Sequence, residues 1–182
     1  MEGLLLATIG LFIQQQFGET VRVGNAAIGA ATLAGLAFGI TTLVSALSAP
    51  LSGTQSDRSG RRWQTAARWL IPGVAGFAVL VLGTPLAIAA GLVGVSAASG
   101  SNANLATVLI GDLSVGGQHG RRLGVLFTLG DLGSAIGPVL AFGLLPLVGM
   151  AGVYWAAALI FGGMGVVAGM WARKYQGVIG NL

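Results

Sequence analysis

Residues 53–62 read GTQSDRSGRR, and this short stretch of one acid and three arginines separates two long apolar runs. Gly53 and Gly60 give the backbone the freedom that a tight reversal requires. We predict a compact turn between two helices here, with Asp57 facing a helix N-terminus and the arginines pairing with acids or lipid phosphates. A generic basic loop would explain the arginines but not the ordered Asp and Gly positions.

The composition around this stretch is typical of a membrane protein. Of 182 residues, 54% are apolar and 8% are charged, with a mean hydropathy of +0.85. An average soluble domain has about 25% charged residues. Cysteine is absent, which excludes disulfides and thiolate chemistry, and His119 is the single histidine. We therefore expect no metal site and no cofactor.

Six apolar runs follow one another along the chain, and we interpret them as six transmembrane helices. The runs cover residues 3–17, 26–51, 66–82, 85–110, 123–147 and 151–171. A span needs about 20 residues to cross a hydrocarbon core of roughly 30 Å, and the first run is shorter than that. A helix that has lost its beginning explains the short run better than a signal peptide does. The sequence predicts an all-α membrane protein, with residues 1–182 forming one six-helix bundle.

The basic residues fall on alternate joints between these runs. Of nine Lys and Arg residues, Arg22 is the one at a joint of the opposite set. The others are Arg58, Arg61, Arg62, Arg68, Arg121, Arg122, Arg173 and Lys174. Because basic joints favour the cytoplasm, we predict a multi-pass protein of the plasma membrane with both termini in the cytoplasm. A soluble helical protein with a basic face would not give this alternation.

Polar residues inside four of the runs mark a predicted substrate or proton pathway. Such residues are costly in a membrane and normally face a bundle interior or a watery cavity. The candidate pathway residues are Gln15, Thr41, Ser45, Ser99, Asn102, Thr128, Asp131 and Ser134. The last three recur every three positions and therefore share one face of the fifth helix. Hydrogen bonding between helices, with no ligand involved, is the alternative role for each hydroxyl or amide.

Asp131 is the most informative single residue among them. It lies eight positions past Leu123, which places it about 12 Å into the fifth helix. An acid at that depth suits a proton or cation role in which protonation is linked to conformation. The alternative is a carboxylate satisfied by Arg121 or Arg122 reaching inward, or by donors on neighbouring helices.

Two motifs resemble those of the major facilitator superfamily. The first resembles its G-x-x-x-D-R-x-G-R-R loop, with matches at Gly53, Asp57, Arg58, Gly60, Arg61 and Arg62. The second resembles the glycine–proline motif of its exporters and consists of Gly124, Gly133, Gly137 and Pro138. Ala141 and Phe142 stand where that motif ends in a glycine pair. Physically, the second motif predicts close helix packing and a local kink.

The resemblance implies one half of a two-bundle transporter. Members of this superfamily have two similar six-helix bundles around a central pathway, and residues 110–133 look more like the C-terminal half. By that resemblance, Asp57, Arg61 and Asp112 form a cytoplasmic charge cluster that stabilises one conformation. A single bundle offers only one wall of the pathway, so a second half is expected upstream in the same chain, in a second copy or in a separate protein. Truncation is the leading explanation of the single bundle.

The predicted function is transport of a small organic solute, a drug or metabolite, by proton-coupled efflux through one half of a secondary transporter. The alternative is a membrane module that does not transport but packs against or regulates another membrane protein, or an inactive transporter fragment. Hydrolase, metalloprotease and phosphate-loop signatures are absent from the sequence, so an enzyme is not predicted. Trp63 and Trp69 beside arginines are expected as interfacial anchors and not as nucleic-acid contacts.

Overall fold

The computed structural model describes residues 8–12, 14, 15, 18, 20–23, 26–114 and 118–179. Four long helices account for most of this part of the chain. They are α1 (Ala30–Ser59), α2 (Arg62–Leu80), α3 (Pro85–Leu113) and α4 (His119–Ile179). Residues 8–12, 14 and 15 of the first predicted span are also helical. The rest of that span lies outside the described residues.

A short two-stranded hairpin precedes α1 and is the exception, within the described residues, to the predicted all-α fold. Strand β1 (Thr20–Val23) pairs antiparallel with β2 (Ala26–Gly29), with Thr20 opposite Gly29. The second run was predicted to be helical from residue 26, whereas the helix begins at Ala30. Strand β1 has the sequence TVRV, which is rich in β-branched residues, and such residues favour extended backbone.

Three helices in the described residues are long and apolar enough to cross a membrane. They cover Ala31–Ser59, Pro85–Leu113 and His119–Lys174. Helix α2 is not among them, because its first residues, RWQTAAR, carry two arginines and a glutamine. The structure thus supports three spans, and the number six stays a prediction.

Helix α4 is divided at Gly149. This residue has φ 67° and ψ 178°, a backbone conformation that favours glycine because other residues clash there. The break falls between the predicted spans 123–147 and 151–171. It divides α4 into a first arm, residues 119–148, and a second arm, residues 150–179. Gly137 and Pro138 lie in helical backbone, and the kink predicted there stays a prediction.

Helix α2 lies at the centre of the packed part of the bundle. Its buried side includes Ala66, Leu70, Gly73, Phe77 and Leu80, which recur every three or four residues. This side packs against α3 and the second arm of α4. The ring centroids of Phe77 and Phe161 lie 5.5 Å apart in an edge-to-face contact. This buried side makes α2 the scaffold against which the other helices pack.

Candidate functional site

Arg62 joins three helices at one end of the bundle. Its Nε lies 3.0 Å from Oδ2 of Asp112, near the end of α3. Its Nη2 lies 3.7 Å from Oδ1 of Asp57, near the end of α1. We call these three residues the Arg62 cluster. Since Arg62 is the first residue of α2, the cluster holds the ends of α1, α2 and α3 together.

The predicted cluster contained Arg61, and the structure places Arg62 in that role instead. Arg61 is exposed and precedes α2, where its backbone carbonyl accepts a hydrogen bond from the N–H of Thr65 at 3.0 Å. Within the described residues, Arg61 forms no ion pair. Arg61 has non-helical backbone angles, φ −114° and ψ 64°, so it does not share the helical geometry that directs Arg62 to the two acids.

The turn at residues 53–62 is shorter than predicted. Helix α1 continues through Ser59, so Asp57 and Arg58 are helical. Gly60 ends the helix with φ 62°, and its N–H donates to the carbonyl of Ser56 at 3.0 Å. Gly53 has a packing role, because a Cβ there would lie only 3.1 Å from Nδ2 of Asn104 on α3. Only Gly60 therefore serves the reversal that both glycines were predicted to allow.

An aromatic pair connects α2 with the second arm of α4. The rings of Trp63 and Trp171 stack with centroids 5.8 Å apart and planes at 23°. Lys174 Nζ lies 5.2 Å from the Trp171 ring centroid, a cation–π geometry. The sequence prediction treated Trp63 only as an anchor and gave Trp171 no role. The contact could have been predicted from the sequence, because both tryptophans lie at arginine-bearing ends of apolar runs.

Further contacts gather the remaining basic segments at the same end. A guanidinium nitrogen of Arg122 donates to the carbonyl of Leu113, which adjoins Asp112 of the Arg62 cluster. We call this end of the bundle the basic end; it holds the Arg62 cluster, Trp63, Arg122, Trp171 and Lys174. Segments that alternate along the sequence therefore meet in space, as the predicted topology requires.

Small polar residues hold α1 against α3 along a line that we call the serine seam. Its members are Ser45, Ser48, Ser52, Ser96, Ser101 and Asn104. Ser45 Oγ donates to the carbonyl of Ser96 at 3.0 Å, and Ser101 Oγ donates to the carbonyl of Ser48 at 3.2 Å. Ser45 and Ser101 thus satisfy their hydroxyls across the interface, and the small side chains allow close approach of the two helices.

Several predicted pathway residues lie in or near the serine seam or are partly buried in the bundle. Ser45 lies in the helix interface, and Thr41 is buried with its hydroxyl bonded to the carbonyl of Phe38. Asn102 is half-buried and donates to the carbonyl of Ala98 on its own helix. Ser99 is half-buried and Gln15 is exposed. Of these five residues, Gln15 is the one that is exposed in the described bundle, and their role in a pathway stays a prediction.

Thr128, Asp131 and Ser134 are placed differently, on one face of the first arm of α4, where most residues between 119 and 140 are exposed on every side. Thr128 Oγ1 donates to the carbonyl of Gly124 at 2.9 Å, so its hydroxyl stays on its own helix. Within the part of the chain that the structure describes, Asp131 forms no ion pair. A Cβ at Gly124 or Gly133 would meet no atom within 4 Å. The described bundle therefore leaves this glycine-rich face, with its acid, uncovered.

Removing the Arg62 side chain should loosen the basic end. We expect Arg62→Gln to lower the free energy of local opening by about 1 kcal/mol, the range for partly exposed ion pairs. Hydrogen–deuterium exchange of the amides near Asp57 and Asp112 measures this opening. Arg61→Gln, the matched control, should leave exchange unchanged. Equal effects of the two substitutions would show that only net charge matters.

Clusters suited to a metal are absent from the described ranges: no three His, Asp or Glu residues are grouped there. The family model for the Major Facilitator Superfamily matches residues 1–179. Among curated proteins and among solved structures, no match is found. The chain belongs to the major facilitator superfamily, a family of membrane transporters and not of enzymes.

Proposed function

We propose that this chain acts as one six-helix half of a secondary transporter that carries a small organic solute across the membrane. The observation that carries the proposal is a carboxylate, Asp131, that shares one face with Thr128 and Ser134 on the first arm of α4, an arm that the described bundle leaves largely uncovered. A carboxylate in a membrane helix is costly against lipid and is normally directed to a cavity or a partner. A second bundle facing this arm would enclose the acid between two walls.

In this proposal the transport is proton-coupled export. Asp131 takes up and releases the proton, and the neighbouring hydroxyls of Thr128 and Ser134 contact the solute. The glycine–proline motif on the same helix, which resembles that of exporters, is the reason for proposing outward transport. The basic end faces the cytoplasm, in accordance with the positive-inside bias.

The Arg62 cluster has a conformational role in the same scheme. Alternating access requires each bundle to move largely as one body about a central site. The cluster ties the ends of α1, α2 and α3, while the stacked tryptophans tie α2 to the second arm of α4. The serine seam joins α1 to α3 over several turns. Together these contacts favour movement of α1, α2, α3 and the second arm of α4 as a unit.

The second half can come from a longer form of this chain, from a second copy or from a separate protein. A cysteine-free sequence makes the assembly testable by site-directed crosslinking. We expect Ser134→Cys on the uncovered face to crosslink within native membranes to another membrane bundle. Leu159→Cys, at a position 74% exposed on the second arm, is the control and should not do so. Equal crosslinking at the two positions would contradict a bundle interface at the Asp131 face.

Transport itself is tested in liposomes that contain the crosslink-competent assembly, prepared at several protein-to-lipid ratios. A pH-sensitive dye inside reports proton movement when an organic cation, a sugar or a neutral drug is added on one side. We expect at least one solute class to drive proton movement above that of protein-free liposomes. If no proton movement is detected at any ratio with any solute class, although the assembly is intact, the transport proposal is overturned. A membrane module without transport activity would then remain.

A further inference from the structure

An open groove lies between α1 and α2, apart from the Arg62 cluster. Its volume is about 600 Å³. The lining residues are Leu51, Thr54, Gln55, Arg58, Ser59 and Trp69. We call it the Arg58 groove. We propose that it binds the phosphodiester head group of an anionic phospholipid, whose acyl chains run along the outer face of α1.

Arg58 supplies the charge that such a head group needs. Its side chain is exposed and, within the described residues, forms no ion pair. The nearby carboxylates of Asp57 and Asp112 are both directed to Arg62, and no acid lines the groove. A guanidinium whose fork is unoccupied matches two oxygens of a phosphate group.

Gln55 and Trp69 shape the polar part of the groove. Trp69 Nε1 donates to Oε1 of Gln55 at 2.8 Å, which fixes the amide and leaves its NH₂ group as a donor. The hydroxyls of Thr54 and Ser59 donate to carbonyls of α1 itself. The donors that remain for a ligand are therefore the Arg58 guanidinium and the Gln55 amide. Trp69 also has the amphipathic ring typical of the membrane–water interface.

An apolar column continues from the groove along α1 and favours a lipid over a free phosphate. Leu43, Leu47 and Leu51 recur every four residues and are 61%, 58% and 59% exposed. Residues at this spacing lie one above another on a helix. Fifteen residues separate Arg58 from Leu43, or about 22 Å along the axis, which exceeds half of a hydrocarbon core of roughly 30 Å. A head group at Arg58 would thus place its acyl chains against leucines for their whole depth.

The test measures lipid retention by the purified full-length chain. Native mass spectrometry counts phosphatidylglycerol molecules that remain after mild delipidation, and a titration gives their apparent affinity. We expect Arg58→Gln to weaken retention about tenfold, since a charge-assisted contact to phosphate is lost. Arg68→Gln removes the same charge from an exposed arginine of α2 that does not line the groove, so it should weaken retention no more than about twofold. Equal losses of retention in the two variants would show that Arg58 acts only through the general positive potential of this end, and would overturn the proposed site.

Competition with other ligands distinguishes an anionic lipid from a free phosphate and from a lipid without net charge. Inorganic phosphate and glycerol phosphate should not displace phosphatidylglycerol, and phosphatidylcholine should bind about fivefold more weakly, because it lacks the net negative charge. Displacement by either small phosphate would assign the site to a free anion and overturn the lipid proposal.

Arg58→Lys keeps the charge at the end of α1 but loses the fork of the guanidinium, and it should weaken phosphatidylglycerol retention about threefold. Retention equal to that of the unsubstituted chain would overturn the role of the guanidinium.

Discussion

Asp131→Asn should reduce proton-linked flux to the leak rate of protein-free liposomes, while expression and assembly stay intact. Asn keeps the shape and hydrogen-bonding capacity of the side chain but cannot take up and release a proton. Folding should tolerate the change, because Asp131 is exposed and forms no ion pair within the described residues. The measurement is the initial rate of internal pH change after solute addition, normalised to the amount of reconstituted chain.

Two variants on the same helix separate the acid from its surroundings. Asp131→Glu retains a titratable carboxyl and should keep part of the flux. Ser134→Ala lies nearly one turn further along the same face and should change solute affinity more than proton coupling. Undiminished proton movement in Asp131→Asn would remove Asp131 from the mechanism. Loss of flux in all three variants would indicate that the face serves assembly and not proton transfer.

The sequence alone predicts the membrane class and the grouping of the basic segments. These features depend on composition and on the alternation of charge, which survive errors of a few residues in helix bounds. The contact between Trp63 and Trp171 and the ion pair between Arg62 and Asp112 bring such segments together, as expected. The family assignment likewise depends on motifs whose residue order is readable directly.

Details that depend on register are predicted poorly. Choosing Arg61 over Arg62 is an error of one residue, yet it exchanges an exposed side chain for the one that bridges two acids. The same holds for the break at Gly149: glycines are frequent along this segment, and only the surrounding packing decides which of them leaves the helix. The hairpin before α1 was missed because its second strand, Ala26–Gly29, runs into the apolar sequence of α1 without a charge.

Placement of polar residues inside the bundle shows the same limit. Ser45 and Thr128 both look like cavity residues in the sequence, since each lies in an apolar span with hydroxyls on the same face. In the structure Ser45 faces α3 and Thr128 faces outward. Hydroxyl groups serve equally as interhelical contacts and as ligand contacts, so the distinction requires knowledge of which helices are neighbours.

The serine seam provides the second large expected effect, on stability. Gly100 on α3 packs directly against the backbone of Ser45, because a Cβ at this position would lie only 2.7 Å from its Cα and closer still to its carbonyl oxygen. Backbone atoms cannot rotate away as a flexible side chain can, so α1 and α3 must separate to admit a methyl group. Separation would stretch the hydrogen bonds from Ser45 to Ser96 and from Ser101 to Ser48.

We expect Gly100→Ala to lower the free energy of unfolding by about 2 kcal/mol, because the overpacking cost exceeds the gain in helix propensity. Gly39→Ala on α1 is the matched control, since a Cβ there meets nothing within 4 Å. It should be neutral or raise stability by about 0.5–1 kcal/mol through the same propensity gain. Titration of the detergent-solubilised chain with a denaturing detergent, followed by helical circular dichroism, gives both values. Changes of opposite sign in the free energy of unfolding would support a seam in which the backbones of α1 and α3 touch. Equal changes in the two variants would mean that these helices are held together elsewhere.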